Sequence, residues 1–327
     1  MVIFHAKTQR REGAKLATRC PIWHCLRASL MIPGRADMNN PMFRPPAEAD
    51  SVILQIDEGC PWNRCTFCGM YKAIPFMKRS LDQIVSMIRQ EAALNVDARR
   101  IFLADGDVMR RPFDELACIL QLLAESFPRL ARVSLYANGS SILAKSDVQL
   151  AMLRTLRLHT LYMGLESGDD TILQGCCKGE TASAMVEAGG KAQAAGLRMS
   201  VMILLGLGGR ARSRQHVAHT ADAINQMQPR LLSVLRVIPV PGTRLYTDTA
   251  NGHFAMPTEY ETVQELRALV EQLQVHGTVF RANHSSNIIP IEARLPQDKQ
   301  TLLASLDSLI ASGILDRNSP GHLSAWL

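Results

Sequence analysis

Between residues 51 and 238 six short β-branched apolar runs alternate with five longer segments of helical spacing. This alternation limits the fold more than any other feature of the chain. The strand-like runs are SVILQID (51–57), RIFLA (100–104), RVSLYA (132–137), TLYMGL (160–165), LRMSVMILL (197–205) and LLSVLRVI (231–238). After the first of them, Ser80 opens a capping box with Gln83, ahead of Leu81, Ile84, Val85, Ile88 and Leu94 at helical spacing. Further helices are predicted from about Pro112 to Phe127, with the proline in the first turn, and near 146–155, 181–195 and 212–227. Such repeats place parallel strands inside and helices outside. Six units fall short of a closed eight-stranded barrel, so the expected fold is α/β, a partial (β/α)6 TIM-like barrel. A doubly wound sheet is the competing arrangement, and in either case ligands gather at the carboxyl ends of the strands.

Polar and glycine-rich segments follow the strands, as that rule requires: CPWNRC after the first, DGD after the second, NGSS after the third, ESGDD after the fourth and GLGGR after the fifth. Beyond Pro239, Val240, Pro241 and Gly242 the alternation is expected to stop. Amphipathic helices are predicted over about 258–275, with Val263, Leu266, Leu269, Val270 and Leu273, and over about 298–312, with Leu302, Leu303, Leu306 and Ile310. The chain therefore divides into a basic N-terminal tail (1–44), a core (45–245) and a mainly helical C-terminal extension (246–327). A polar loop over 280–299 in the extension is placed to close over a substrate.

The net charge of +6 is local. Residues 1–38 hold seven bases (Lys7, Arg10, Arg11, Lys15, Arg19, Arg27, Arg35) against two acids (Glu12, Asp37), which is +5 and leaves +1 for the rest. A nearly neutral body argues against nucleic acid as a partner. The leader lacks an apolar signal core, so it reads as a poorly ordered tail or as sequence ahead of a later start at Met31, Met38 or Met42. No run of about eighteen apolar residues is present, which predicts no membrane span. Eight cysteines without a secretory signal point to the reducing cytoplasm.

Three of those cysteines, Cys60, Cys65 and Cys68, lie in EGCPWNRCTFCGMY directly behind the first strand. A four-iron cluster needs four ligands if it only carries electrons, so three thiolates leave one iron open for chemistry. Zinc competes, but a closed zinc site needs a fourth ligand, for which Cys20, His24 and Cys25 are the nearest candidates. Phe67 is either an apolar shield for sulfur or an aromatic shelf beside a cofactor. Cys118 falls on the apolar side of a helix, and the adjacent Cys176 and Cys177 have no third cysteine near them to hold a second cluster.

A cysteine triplet with an aromatic before its last member, behind the first strand of a βα series, resembles the radical S-adenosylmethionine (SAM) superfamily. The spacing here is C-x4-C-x2-C, one residue longer than that superfamily's usual first gap. The resemblance implies a [4Fe–4S] cluster held by Cys60, Cys65 and Cys68, with SAM on the open iron. It implies that Asp105, Gly106 and Asp107 of LADGDVM receive the cofactor's amino group. Glu166 of GLESGDD would meet the ribose or the methionyl end. In the branch resembling oxygen-independent coproporphyrinogen oxidase a base twelve residues later pairs the methionyl carboxylate, and Lys178 holds that offset. Gly206, Gly208 and Gly209 of ILLGLGG resemble the segment beside the adenine, and Asn138 and Ser140 are further methionyl contacts. Taken singly, the aspartates could form a turn and helix cap, Glu166 a cap, Lys178 a surface lysine and the glycines a loop.

RPPAEADSVILQIDEGCPWNRCTFCGMYK, His216 and Thr220 after the glycines, VPGTRLY, NHSSN and LPQDK look like an iron–sulfur oxidoreductase group near that branch. The resemblance implies reductive cleavage of SAM and hydrogen abstraction from a substrate. A low-potential donor such as flavodoxin or ferredoxin would supply the electron. Tyr71, Arg236, Asn283, His284 and Asn287 are the candidate contacts to a small-molecule or peptide substrate, with His284 otherwise a loop histidine and Arg236 otherwise the partner of a carboxylate. A non-catalytic iron–sulfur or zinc protein, an electron carrier or interaction module, is the alternative from another class. Radical modification of RNA or of a tetrapyrrole is a further one.

Overall fold

The computed structural model describes residues 43–321. The basic leader up to residue 42, with Cys20, His24, Cys25 and the alternative starts, lies outside them. Eight strands form one sheet in sequence order: β1 (Val52–Gln55), β2 (Arg100–Ala104), β3 (Arg132–Tyr136), β4 (Leu158–Glu166), β5 (Arg198–Leu205), β6 (Leu231–Arg236), β7 (Thr278–Arg281) and β8 (Glu292–Leu295). All neighbours pair in parallel except β7 and β8. A doubly wound sheet would reverse its strand order part-way. The unbroken order here is that of a barrel wall left open between β1 and β8.

The six expected strand–helix units are present. Helices α1 (Leu81–Leu94), α2 (Phe113–Ser126), α3 (Asp147–Thr155), α4 (Ala182–Ala194) and α5 (Gly209–Met227) follow β1 to β5 in turn. Ser80 and Gln83 exchange both capping-box bonds, as do Ser146 and Gln149. Pro112 caps α2 rather than entering its first turn, because its extended backbone (ψ 146°) lies outside the helix. Leu54, Ile101, Leu103, Leu161, Met163, Val201 and Ile203 pack outward with Leu116, Ile119, Leu123 and Ile224 into the main core. Within the wall, Phe102, Tyr136 and Tyr162 meet edge to face at 5.0–6.3 Å, and the Tyr162 hydroxyl donates to the buried Glu48 carboxylate at 2.8 Å.

The extension adds α6 (Glu259–Gln272) and α7 (Lys299–Ala311) and is mainly helical, as expected. The alternation nevertheless continues past Gly242. Strand β7 joins β6 in parallel, and β8 folds back on β7. The supposed 280–299 loop therefore begins in strand β7 and includes strand β8 before turning into α7. Phe280, Ala293 and Leu295 are buried while Arg281 and Glu292 pair on the other face at 3.1 Å, a two-residue period too short to stand out in sequence. No helix among the described residues is long and apolar enough to cross a membrane.

A buried ion pair fixes the exit from β1. Arg111 is 3% exposed and donates to both Asp57 carboxylate oxygens (2.6 and 3.2 Å), to the Ile56 and Arg79 carbonyls and to Glu115. Removing one member of such a pair strands a buried charge. Arg111→Met is therefore expected to cost about 3–5 kcal/mol in urea unfolding, with Asp57→Asn added to it recovering part of the loss.

Candidate functional site

The cysteine segment sits at the carboxyl end of β1 and is pinned on several sides. Thr66 N donates to the Cys176 carbonyl (2.9 Å), Leu245 N to the Thr66 carbonyl (3.0 Å), and the Trp62 indole N–H to the Cys177 carbonyl (2.8 Å). The Trp62 ring covers Gly179 so closely that a Cβ there would overlap it. Asn63, within the C-x4-C gap, adopts a left-handed conformation (φ 43°), and its side-chain amide donates to the Tyr71 carbonyl at 2.6 Å. Asparagine tolerates that region better than most residues. Phe67 packs with Ile172, Cys176, Leu207, Leu245 and Met256, joining the cysteine loop to the loop after β5.

Cys60, Cys65 and Cys68 are half-buried and carry no disulfide. Burial pushes the Cys65 thiol up to about 12, with smaller opposing contributions from Lys178, which lowers it, and from Glu166, Cys68 and Cys60, which raise it. Burial raises Cys68 as well. As protons are lost these thiols need a compensating positive charge, which a bound metal provides. Among the described residues no group of three or more His, Cys, Asp or Glu side chains stands in ready metal-ligand geometry.

The turn after β2 touches this loop directly. A Cβ on Gly106 would lie 2.5 Å from Cys60 Cα and 2.9 Å from the Gly59 carbonyl oxygen, to which the Gly106 amide donates (3.2 Å). Asp105 is fully buried, and its carboxylate accepts from Gln55 Nε2 (2.6 Å) and the Tyr71 hydroxyl (3.0 Å). Asp107 accepts from the Asn138 backbone (3.1 Å), the Asn138 amide (3.3 Å) and the Ser141 hydroxyl. The aspartates thus brace the turn, while Ser140 is held by Glu180 through its hydroxyl at 2.6 Å.

Glu166, the last residue of β4, and Lys178 form a salt bridge at 2.9 Å with side chains 12% and 9% exposed, so Lys178 is not a surface lysine, and Asp169 rather than Glu166 caps the next helix. Burial works against the ammonium, yet Glu166 and the neighbouring thiols outweigh it and hold Lys178 above the ordinary lysine value. A Cβ at Gly164 would collide with this pair. Of the six non-glycine residues with positive φ among the described residues, Asn63, Asp105, Glu166 and Cys177 all belong to these loops. Strained backbone of this kind concentrates at binding and catalytic sites.

A cavity of about 340 Å³ opens between these segments, lined by Pro61 and Trp62, by Asp107, by Asn138 and Ser140, and by Lys178 and other residues of the same loops. Its size suits part of a small ligand. Gly206, at φ +78°, and Gly208, at the start of α5, form the loop after β5.

The substrate candidates are placed differently. Tyr71 is buried beneath Asp105. Arg236 is 4% exposed and donates to the Pro320 carbonyl (2.7 Å), and its amide donates to the Ser286 hydroxyl (3.2 Å). His284 bonds Ser286 (2.9 Å), Asn287 donates to the Val234 carbonyl (2.8 Å), and Asn283 is exposed. The NHSSN loop therefore lies against the end of β6. Cys176 is buried and donates to the Leu173 carbonyl, and Cys177 is exposed; the backbone of this pair anchors Thr66 and Trp62. Sequence reading missed Trp62, Asn63, Gln55 and Glu180. Only Asn63, an asparagine in a lengthened loop, carried a usable signal.

The fold and this end of the sheet define an open β/α barrel with a cysteine-bearing first loop. The sequence profile of the Radical SAM superfamily matches residues 54–221, and the chain belongs to that superfamily. Its cofactors are a [4Fe–4S] cluster and SAM, and members of the superfamily are enzymes. Curated proteins include no match. Among solved structures, methylornithine synthase (PylB) is 14% identical with a TM-score of 0.49, over 79% of this chain and 81% of that one. Coproporphyrinogen III oxidase (HemN) from Escherichia coli is 15% identical with a TM-score of 0.50, over 68% of this chain and 51% of its own. TsrM, a radical SAM methyltransferase from Kitasatospora setae with cobalamin and a [4Fe–4S] cluster bound, is 17% identical with a TM-score of 0.49, over 62% and 39%. The chain spans about half of coproporphyrinogen oxidase, and likeness at these identities is likeness of fold.

Proposed function

We propose that Cys60, Cys65 and Cys68 are the protein ligands of the cluster, and that the chain uses it to cleave SAM and take a hydrogen from a substrate. The reading is carried by one convergence. Three thiols, the Gly106 turn packed against Cys60, a buried Lys178–Glu166 pair and a cavity that Lys178 lines together with Pro61, Trp62 and Asp107 occupy the carboxyl end of the parallel strands. The donor set suits iron, since thiolates pair with an iron–sulfur cluster and three of them leave a position open. When bound and reduced, the cluster supplies the electron that splits the sulfonium of SAM.

The chain's own residues bind and orient. The Asp105 carboxylate is braced by Gln55 and Tyr71, while Asp107, held by Asn138 and Ser141, lines the cavity, so the turn meets an ammonium through backbone carbonyls and the Asp107 carboxylate. Lys178 Nζ offers a positive charge for the methionyl carboxylate, and Glu166 an acceptor for a hydroxyl. Asn138 and Ser140 line the same cavity, and Gly206 and Gly208 let backbone approach the purine. Phe67 and its apolar neighbours keep water from the sulfurs. Arg236, Asn283, His284 and Asn287 form the substrate side near β6, and a flavodoxin or ferredoxin of the cytoplasm supplies the electron.

Lys178→Ala is expected to weaken SAM binding about tenfold or more while leaving iron content at the wild-type level, because a charged hydrogen bond is lost without touching a cysteine. Equilibrium binding on anaerobically reconstituted protein measures both, and unchanged affinity removes the assignment.

A further inference from the structure

The glycine loop after β5 is tied to the C-terminal extension by a buried carboxylate. Glu265 lies on the inner face of α6 beside Thr262, Leu266 and Leu269, and is 3% exposed. Its Oε1 accepts from the Gly206 amide at 2.6 Å, and its Oε2 accepts from the Ser213 hydroxyl. His216 Nε2 stands 3.8 Å from the same Oε1, while His216 Nδ1 bonds Ser167 Oγ at 2.8 Å. Ser167 Oγ accepts from Asp169 N (3.0 Å), and Thr220 Oγ1 accepts from Gly168 N (2.9 Å). One run of polar contacts therefore passes from α6 through α5 to the loops after β4 and β5.

Packing alone does not call for this carboxylate. Its neighbours on the face of α6 are largely apolar, and burying an acid there is unfavourable unless its oxygens are bonded. What it bonds is informative. Gly206 carries the positive φ (+78°) that turns the chain out of β5, and its carbonyl accepts from the Gly209 amide at 2.9 Å to start α5. The Arg210 amide, one residue on, donates to the Ala255 carbonyl of the extension (3.1 Å). The extension thus holds both ends of the glycine turn.

We propose that Glu265 is a positioning residue that sets this loop for the adenosine half of SAM, which makes the C-terminal extension part of the cofactor site. This rests on the reading of Gly206 and Gly208 as adenine contacts. Because Glu265 acts through the Gly206 backbone, its loss falls on the adenosine end and spares the cysteines and the methionyl end.

The test compares Glu265→Leu and Glu265→Gln in reconstituted full-length protein, measuring iron per chain and the dissociation constants of SAM and of free methionine. Glu265→Leu should weaken SAM about tenfold, the scale of one hydrogen bond to a charged group, and methionine less than twofold, with iron unchanged. Glu265→Gln keeps an acceptor for the Gly206 amide and should stay within about threefold of wild type. Equal losses for SAM and methionine, or an unchanged SAM constant in Glu265→Leu, overturn the proposal. If Glu265→Leu does not fold, Ser213→Ala removes one of the two donors; a loss confined to SAM supports the role and no loss overturns it. Wild-type protein that binds no SAM would instead overturn the cofactor reading beneath it.

Discussion

Cys65→Ala protein is expected to leave anaerobic reconstitution with less than about a tenth of the wild-type iron and to form no detectable 5′-deoxyadenosine. Cys65 is the middle cysteine of the segment, and its thiol interacts with Cys60, Cys68, Lys178 and Glu166 together. An iron–sulfur cluster held by three thiolates has no ligand in reserve. Cys176 is the nearest rival, since its thiol, pushed up to about 12 chiefly by burial, also feels Cys65. Its thiol donates to the Leu173 carbonyl at the end of a short helix, however, and its backbone carbonyl accepts from Thr66 of the cysteine loop, contacts that give it a structural role. Cys176→Ala should therefore keep its iron. Loss of iron in that variant equal to the loss in Cys65→Ala would make Cys176 a ligand and remove the open position on which the account depends.

Gly106→Ala should damage the same site without removing a ligand. The new methyl would meet Cys60 Cα at 2.5 Å, Cys60 Cβ at 2.8 Å and the Gly59 carbonyl oxygen at 2.9 Å. Most of these atoms are backbone, so no flexible side chain can swing aside. Either the turn after β2 or the first cysteine must move. Disturbing the support of a metal ligand costs about 10- to 100-fold in affinity or activity, and cluster retention during iron chelation should fall on that scale. Secondary structure and unfolding midpoint should change little, because the strain is confined to two loops. Wild-type cluster retention in Gly106→Ala would mean that the DGD turn and the cysteine loop separate when the cluster is bound.

The barrel was legible because each strand–helix unit carries its own period, and because Ser80 with Gln83 marks a helix start unambiguously. Strands β7 and β8 were hidden for the opposite reason. Four residues with one face in water leave too few apolar positions to separate them from a polar loop. In the site, the order of loops along the chain was readable and their side-chain partners were not. Asp105 reads as a ligand in sequence, yet Gln55 and Tyr71, 50 and 34 residues away, occupy its carboxylate. Glu166 and Lys178 each read in sequence as a cofactor contact, and their pairing with one another is visible only in the fold. Glu265 left only one trace, a lone acid on the apolar stripe of an amphipathic helix.

The central claim is that this chain cleaves SAM reductively, and its most direct test is chromatographic. Purified without oxygen, reconstituted with iron and sulfide and reduced with dithionite, wild-type protein should convert SAM to 5′-deoxyadenosine, and Cys65→Ala should not. Absence of 5′-deoxyadenosine from both proteins, with stoichiometric zinc in the wild type, would contradict the account.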